Sequence, residues 1–403
     1  MKITRVEAHS IPDSRGKPTV EVTLHTDSLT ATASVPSGKS TGAHEAKELR
    51  DADGGVSGAC GHVTGEIADA IIARSFESLP DIDALLCSLD GTPDKSRLGA
   101  NAILGVSFAA ARLFAQEAQV PLWRYLAQIY GTTPAAPRLF VNVMNGGAHA
   151  NFRLPFQEHI LVVGEETVAA SIQTAQKAFE ELGSLLRRET DDLPLGDEGG
   201  YSPHFTELTK PFEILSAIVA RFPQTALAID AAANELRNEH GGYTLLAQEY
   251  SPEELQGVYL SLVEKFPFHS IEDPFTETDP ESFASLTAAI GDRVLVVGDD
   301  LTVTNPTRID HARAQKSINA VLIKPNQIGS VSEAVEAVKK THATGWKAIC
   351  SHRSGETDDT FIADFTYAVG AHGIKAGGFG QKQRREKYER LRHIEEEAQS
   401  FHL

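Results

Sequence analysis

One pattern in the second half of this chain limits the folds open to it more than any other. Short apolar runs recur, and several end on a charged or polar residue. They are Ala226-Leu227-Ala228-Ile229-Asp230, Phe268-His269-Ser270-Ile271-Glu272, Val294-Leu295-Val296-Val297-Gly298-Asp299, Ala320-Val321-Leu322-Ile323-Lys324, Lys347-Ala348-Ile349-Cys350-Ser351-His352 and His372-Gly373-Ile374-Lys375. Segments of helical composition lie between them, residues 252–266 and 330–341 among these. Strands alternating with helices form a largely parallel sheet with both faces covered. Functional groups at the ends of successive strands fit a β/α barrel, whose sites occupy the C-terminal rim. An open, doubly wound sheet has the same alternation and remains the rival.

The first part of the chain has a different texture. Residues 19–24 alternate as a half-buried antiparallel strand, and residues 31–35 could pair with them. Residues 101–116 suit a tightly packed helix, because small side chains run along them. A Gly131-Thr132-Thr133-Pro134-Ala135-Ala136-Pro137 stretch reads as a linker. The expectation is therefore an α/β protein of two domains, a smaller α+β unit over 1–130 and an eight-stranded β/α barrel over 131–403. A length of 403 residues, too many for one compact core, agrees with that division.

Charge narrows the partners. With 37 Lys and Arg against 55 Asp and Glu, the formal charge is -18, the opposite of what a nucleic-acid binder needs. Three scattered cysteines make neither a disulfide framework nor a zinc site. The first residues lack the apolar core of a signal peptide. The most apolar stretch, residues 102–115, is interrupted by Arg112 and is too short to span a bilayer. These features predict a soluble, cytoplasmic protein with no membrane partner.

Asp230, Glu272 and Asp299 each close an apolar run, so a barrel would gather them on one rim. Clustered carboxylates repel one another unless a cation intervenes, and hard oxygen ligands suit magnesium. Lys324 ends the next run; burial beside a divalent ion disfavours its protonated form and makes it a candidate base. Ser351-His352-Arg353-Ser354-Gly355 combines a guanidinium, a hydroxyl and backbone donors suited to phosphate, and Lys375 adds another cation. Gly196-Asp197-Glu198-Gly199-Gly200 sets two carboxylates in a turn where backbone can approach a ligand, and Gly146-Gly147-Ala148-His149 carries a histidine in the same way. Two other motifs carry less. His44-Glu45-Ala46-Lys47-Glu48 lacks the second histidine of a zinc helix and reads as a helix start. Gly377-Gly378-Phe379-Gly380 lacks the strand, helix and acidic partner of a dinucleotide fingerprint.

Taken in order, these motifs resemble the enolase family over nearly the whole chain. Asp13-Ser14-Arg15-Gly16 with Pro18-Thr19-Val20-Glu21, and Pro36-Ser37-Gly38-Lys39-Ser40-Thr41-Gly42, are similar to its N-terminal signature and first loop. The His149, Gln157-Glu158, Glu198, Glu272-Asp273-Pro274, Asp299-Asp300, Lys324, Ser351–Thr357 and Lys375 segments follow in family order. The resemblance implies reversible dehydration of 2-phosphoglycerate to phosphoenolpyruvate, through proton abstraction and a magnesium-stabilised ene-diolate. A Lys or His base with magnesium is the established pattern of enolase-superfamily sites. It further implies two magnesium ions per active site, one held by Asp230, Glu272 and Asp299, the other helped by Ser40. Lys324 would be the base and Glu198 the acid, supported by Glu158 and Gln157. His149 and His352 would line the site, Arg353 and Ser354 would bind phosphate, and Lys375 the substrate carboxylate.

The alternatives are a paralogue acting on a related phospho- or phosphono-carboxylate, or a non-catalytic binding protein of the same fold. Departures from the family pattern include Lys39 for a small residue, Phe152 to Phe156 before Gln157, His159 where phenylalanine is common, and Gln381-Lys382-Gln383-Arg384 for Arg-Ser-Glu-Arg. The resemblance also implies a homodimer in which Glu21 faces an arginine of the partner; here that position holds His393.

Overall fold

The computed structural model describes residues 1–39, 42–72 and 74–401. Its first unit is an antiparallel meander of β1 (Arg5–Pro12), β2 (Pro18–His25) and β3 (Thr30–Ser34). On β2, Val20, Val22 and Leu24 are fully buried, as the alternation predicts, and face the helix Ala100–Glu117. The small residues of that helix matter most at Gly105, where a Cβ would meet Val22 Cγ2 at 2.7 Å.

Ten more strands follow: β4 (Arg138–Asn145), β5 (Glu158–Val163), β6 (Thr225–Asp230), the β7–β8 hairpin (Tyr243–Leu245 and Gln248–Tyr250), β9 (Phe268–Glu272), β10 (Leu295–Gly298), β11 (Ala320–Ile323), β12 (Lys347–Ser351) and β13 (Gly373–Lys375). Eight of them close into a barrel in the order β10-β11-β12-β13-β4-β5-β6-β9, which rules out the open sheet. The sheet is parallel except at β5, which runs antiparallel to both neighbours. The connection from β4 to β5 carries only one short 3-10 turn and no crossover helix, so the chain must reverse there. Two helices, Val168–Glu189 and Lys210–Val219, then separate β5 from β6. Counting directions, the segment between those helices returns to the upper rim, and it carries Glu198.

A strand's side chains point alternately in and out, and this parity builds the site. Ala228, Val297, Leu322 and Ile349 form part of an apolar layer within the barrel. Two residues further along the same strands, on the same face, stand Asp230, Asp299, Lys324 and Ser351. Because β5 descends, its rim residue comes first: Glu158 sits opposite Asn145 of β4 and Asp230 of β6. The next residue, His159, therefore points outward, toward the covering helices.

The helix expected to start at residues 44–48 is absent. That segment is a turn followed by irregular backbone, because its donors go to distant partners: Ala46 N to Gln327 O at 2.8 Å and Lys47 N to Asp94 O at 2.7 Å. Among the described residues, no helix is long and apolar enough to cross a membrane.

Candidate active site

The barrel's upper rim surrounds a cavity of about 160 Å³ lined almost wholly by polar side chains. Lys324 and the Glu158–Glu198 pair stand on opposite sides of it. β11 and β5 have three strands between them in either direction round the barrel.

On one side, the Lys324 ammonium contacts Asp299 Oδ2, while Gln327 Nε2 donates to Asp299 Oδ1 at 2.9 Å. Burial, the largest single influence, pushes the Lys324 ammonium toward deprotonation, but the charge of Asp299 with that of Glu272 together outweighs it, and the net shift is upward. The expected disfavouring of its charge is thus absent while Asp299 is its direct neighbour.

Lys375 rises from β13 into the middle of the acids. Its Nζ lies 2.9 Å from Glu158 Oε2, 3.2 Å from Asp230 Oδ2, and 2.9 and 3.0 Å from the two oxygens of Glu272. Gln157 Nε2 donates to Asp230 at 3.3 Å, leaving its buried Oε1 without a hydrogen-bond partner among the described residues.

On the far side, ligand-type atoms of His149, Glu158 and Glu198 lie within 4.8 Å of one another. His149 Nδ1 is 3.6 Å from Glu198 Oε1, and Asn142 Nδ2 donates to Glu198 Oε2 at 3.1 Å. The two carboxyls cannot both ionise cheaply so close together. Burial, then the charge of Glu198, pushes Glu158 well up. Burial also acts to raise Glu198, but His352, His149 and the hydrogen bond with Glu158 together hold that carboxyl down. Because burial itself disfavours charge on both imidazoles, their part is as hydrogen-bond donors more than as cations. The two carboxyls are thus pushed apart, Glu158 upward and Glu198 downward.

The phosphate-type residues are already engaged. Arg353 Nη1 donates to Glu45 Oε2 at 2.9 Å and to Asn326 Oδ1 at 3.0 Å. Ser354 Oγ accepts from Arg15 Nη1 at 3.2 Å. Ser40 lies outside the described residues.

The donor set fits a hard divalent cation. Five buried carboxyl groups (Glu158, Glu198, Asp230, Glu272 and Asp299) cluster round the two ammonium groups of Lys324 and Lys375, with the Arg353 guanidinium, itself paired to Glu45, also on the cavity wall. Those ammonium groups sit directly on the three carboxylates that the sequence singled out, as cations drawn to a negative site. The unmet demand shows in the carboxyls: burial and then Asp230 push Glu272 well up, while burial and then Asp299 raise Asp300 to about 7.

Two family models account for nearly all of the chain: the enolase N-terminal domain matches residues 3–126, and the enolase C-terminal TIM barrel domain matches residues 134–402. The chain belongs to the enolase family. It is similar to the enolase of Mycobacteroides abscessus, at 42% identity over 406 residues covering 98% of this chain and 94% of that one. The enolase of Methanopyrus kandleri is 44% identical over 414 residues, covering 98% and 96%.

Several groups in this enolase-family site escaped sequence reasoning. Glu45 is buried and clamps Arg353, although its segment resembled a helix start. Asp273 accepts from the backbone N–H of Asp299 and of Asp300, both at 2.9 Å, and so fixes the end of β10. Its place in the Glu272-Asp273-Pro274 motif was a usable signal. Arg384, from the C-terminal helix Lys382–Ser400, stood in the Gln381-Lys382-Gln383-Arg384 segment that was weighed only as a departure, although its last residue keeps the family's arginine.

Proposed function

We infer that this chain catalyses the reversible loss of water from 2-phosphoglycerate to give phosphoenolpyruvate, as a carbon–oxygen lyase of the enolase type. The observation that carries the reading is the separation of two proton-handling groups across one cavity, Lys324 from β11 and Glu158–Glu198 from the opposite side. Removing a proton from one carbon and an oxygen from its neighbour calls for a base and an acid that do not share a position.

In this assignment Lys324 takes the proton beside the substrate carboxylate. Lys375, buried at the centre, faces the negative charge that grows on that carboxylate, which is where fixed charge lowers a barrier most. Glu198 delivers a proton to the departing oxygen. It receives that proton from within the shared Glu158–Glu198 pair, with His149 at its edge. Arg353 and Ser354 hold the phosphate, for which Arg353 exchanges its Glu45 partner. Gln157 presents its free Oε1 to the same polar end.

Asp230, Glu272 and Asp299 would hold magnesium, with Ser40 assigned to a second ion. When bound, magnesium supplies positive charge that offsets the growing negative charge of the carboxylate and competes with Lys324 for Asp299. The assembly proposed is a homodimer working in the cytoplasm on a small phosphorylated carboxylate.

The test is direct: purified protein with 2-phosphoglycerate and magnesium should form phosphoenolpyruvate, and a chelator should stop it. Absence of product from folded, magnesium-supplied protein would overturn the reading.

A further inference from the structure

Arg384 is fully buried, and among the described residues none of its donors reaches a carboxylate within hydrogen-bond distance. A buried guanidinium spent on neutral acceptors must be worth its desolvation for another reason. Its Nη1 contacts His352 Nδ1 and donates to Arg353 O at 2.6 Å; its Nη2 donates to Ser354 O at 2.8 Å. Guanidinium has donors only and does not lose its proton in a protein. The ring nitrogen it meets must therefore be an acceptor, bare of hydrogen. A neutral imidazole has one bare nitrogen and one N–H, so the proton of His352 has only Nε2 to occupy.

That Nε2 is buried, lies 3.3 Å from Glu198 Oε2, and lacks the alignment of a full hydrogen bond. His352 lines the cavity as a donor with capacity to spare. We propose that Arg384 is a positioning residue that locks His352 as the neutral Nε2–H tautomer, so that it serves the Glu198 end of the site as a hydrogen-bond donor and not as a base. The inference rests on the enolase-type reading for its consequence in turnover, but not for the tautomer itself.

The surroundings are built for this contact. At Gly377, with φ at 84°, a Cβ would stand 2.8 Å from Arg384 Cδ and 3.0 Å from His352 Cε1, so only glycine leaves both side chains room. Gln381 orients the guanidinium by accepting from Arg384 Nε at 3.2 Å, and its own Nε2 donates to Asp197 O at 3.0 Å. Gln381 therefore adds a second fix on the guanidinium and links it to the segment carrying Glu198.

Proton–nitrogen NMR of histidine-labelled protein, without substrate, reads the tautomer; the His352 signals are those lost in His352→Gln. The wild type should show bare Nδ1 and protonated Nε2. Arg384→Met should allow the Nδ1–H form to appear and lower kcat by about tenfold or more, part of what a positioned proton-transfer network supplies. Arg384→Gln, which keeps one neutral donor, should recover part of both. A wild-type Nδ1–H tautomer would overturn the proposal whether or not the variants fold. So would an Arg384→Met protein that loses activity with the His352 tautomer unchanged. Failure of the wild type to act on 2-phosphoglycerate would strike the proposed reaction and leave the tautomer result standing.

Discussion

Replacing His159 by phenylalanine should stabilise this protein, and more so in acid. The side chain is wholly buried, and neither ring nitrogen has a hydrogen-bond partner among the described residues. Its neighbours are rings, Phe212 at 5.2 Å and Phe156 at 6.3 Å between centroids, on the outward, apolar face of β5. A buried polar group left unsatisfied costs about 1–3 kcal/mol. Phenylalanine removes that cost at similar shape, with a little returned through tighter packing. Burial also pushes the imidazole down to about 3; the nearby Met144 backbone opposes this only in part, from a position that makes no full hydrogen bond with either ring nitrogen. The unfolded chain protonates near the usual value of about 6.5, so between these limits it binds a proton that the folded chain refuses. Folding is then unaffected by His159 titration above about 6.5 and loses about 1.4 kcal/mol for each pH unit below it, until about 3. The advantage of His159→Phe should accordingly grow from about 1–3 kcal/mol at about pH 7.5 to about 3–5 kcal/mol at about pH 5. Urea unfolding of both proteins at the two pH values measures it. A variant no more stable at neutral pH, or a difference that ignores pH, would refute the reasoning.

Three further outcomes follow from the site and its periphery. Lys324→Ala should lower kcat by about a hundredfold to ten-thousandfold with the far-ultraviolet spectrum unchanged, and near wild-type turnover would remove Lys324 from the reaction. Asp299→Asn should raise the magnesium concentration needed for half-maximal rate, because a neutral amide is a poorer ligand for a hard cation; an unchanged magnesium titration would count against Asp299 as a ligand. His393 is exposed and accepts from Arg392 at 2.8 Å through Nε2, so that nitrogen is not free to donate to a partner's Glu21. His393→Arg should then tighten the proposed dimer at about pH 8, where arginine is charged, and sedimentation velocity on dilute protein would expose an unchanged constant.

The barrel was legible because its rim residues obey strand parity. Asp230, Glu272, Asp299 and Lys324 announce themselves as polar endings of apolar runs, the glycine-rich turns offered Glu198 and His149, and the enolase motifs added Glu158. The reversal of β5 was not legible in that way. Its six residues, Glu158–Val163, form one more apolar run, and nothing within a single strand states its direction. Direction depends on what connects it, here a turn too short to be a crossover. Glu45 was misread for a related reason: its segment has helical composition, but tertiary hydrogen bonds claimed its backbone. The state of Lys324 depends on which cation occupies its neighbour, and the Arg384–His352 contact joins residues from distant parts of the chain. Neither can be read from local sequence.

The closing seam of the barrel has a consequence for how the protein is made. Strand β13 pairs with β4, joining Lys375 to Phe140 across most of the chain, whereas β4 and β5 pair almost as soon as both exist. The early hairpin forms from near contacts, and the seam waits for the last strand. Until the C-terminal strand emerges, the growing sheet exposes two unpaired edges, a template for association with other chains. Lys375 is carried by that last strand, so the central cation of the cavity arrives only when the ring shuts. Synthesis cut short before β13 therefore leaves the acids on the rim without it, and the nascent protein is at its most aggregation-prone just before it becomes competent.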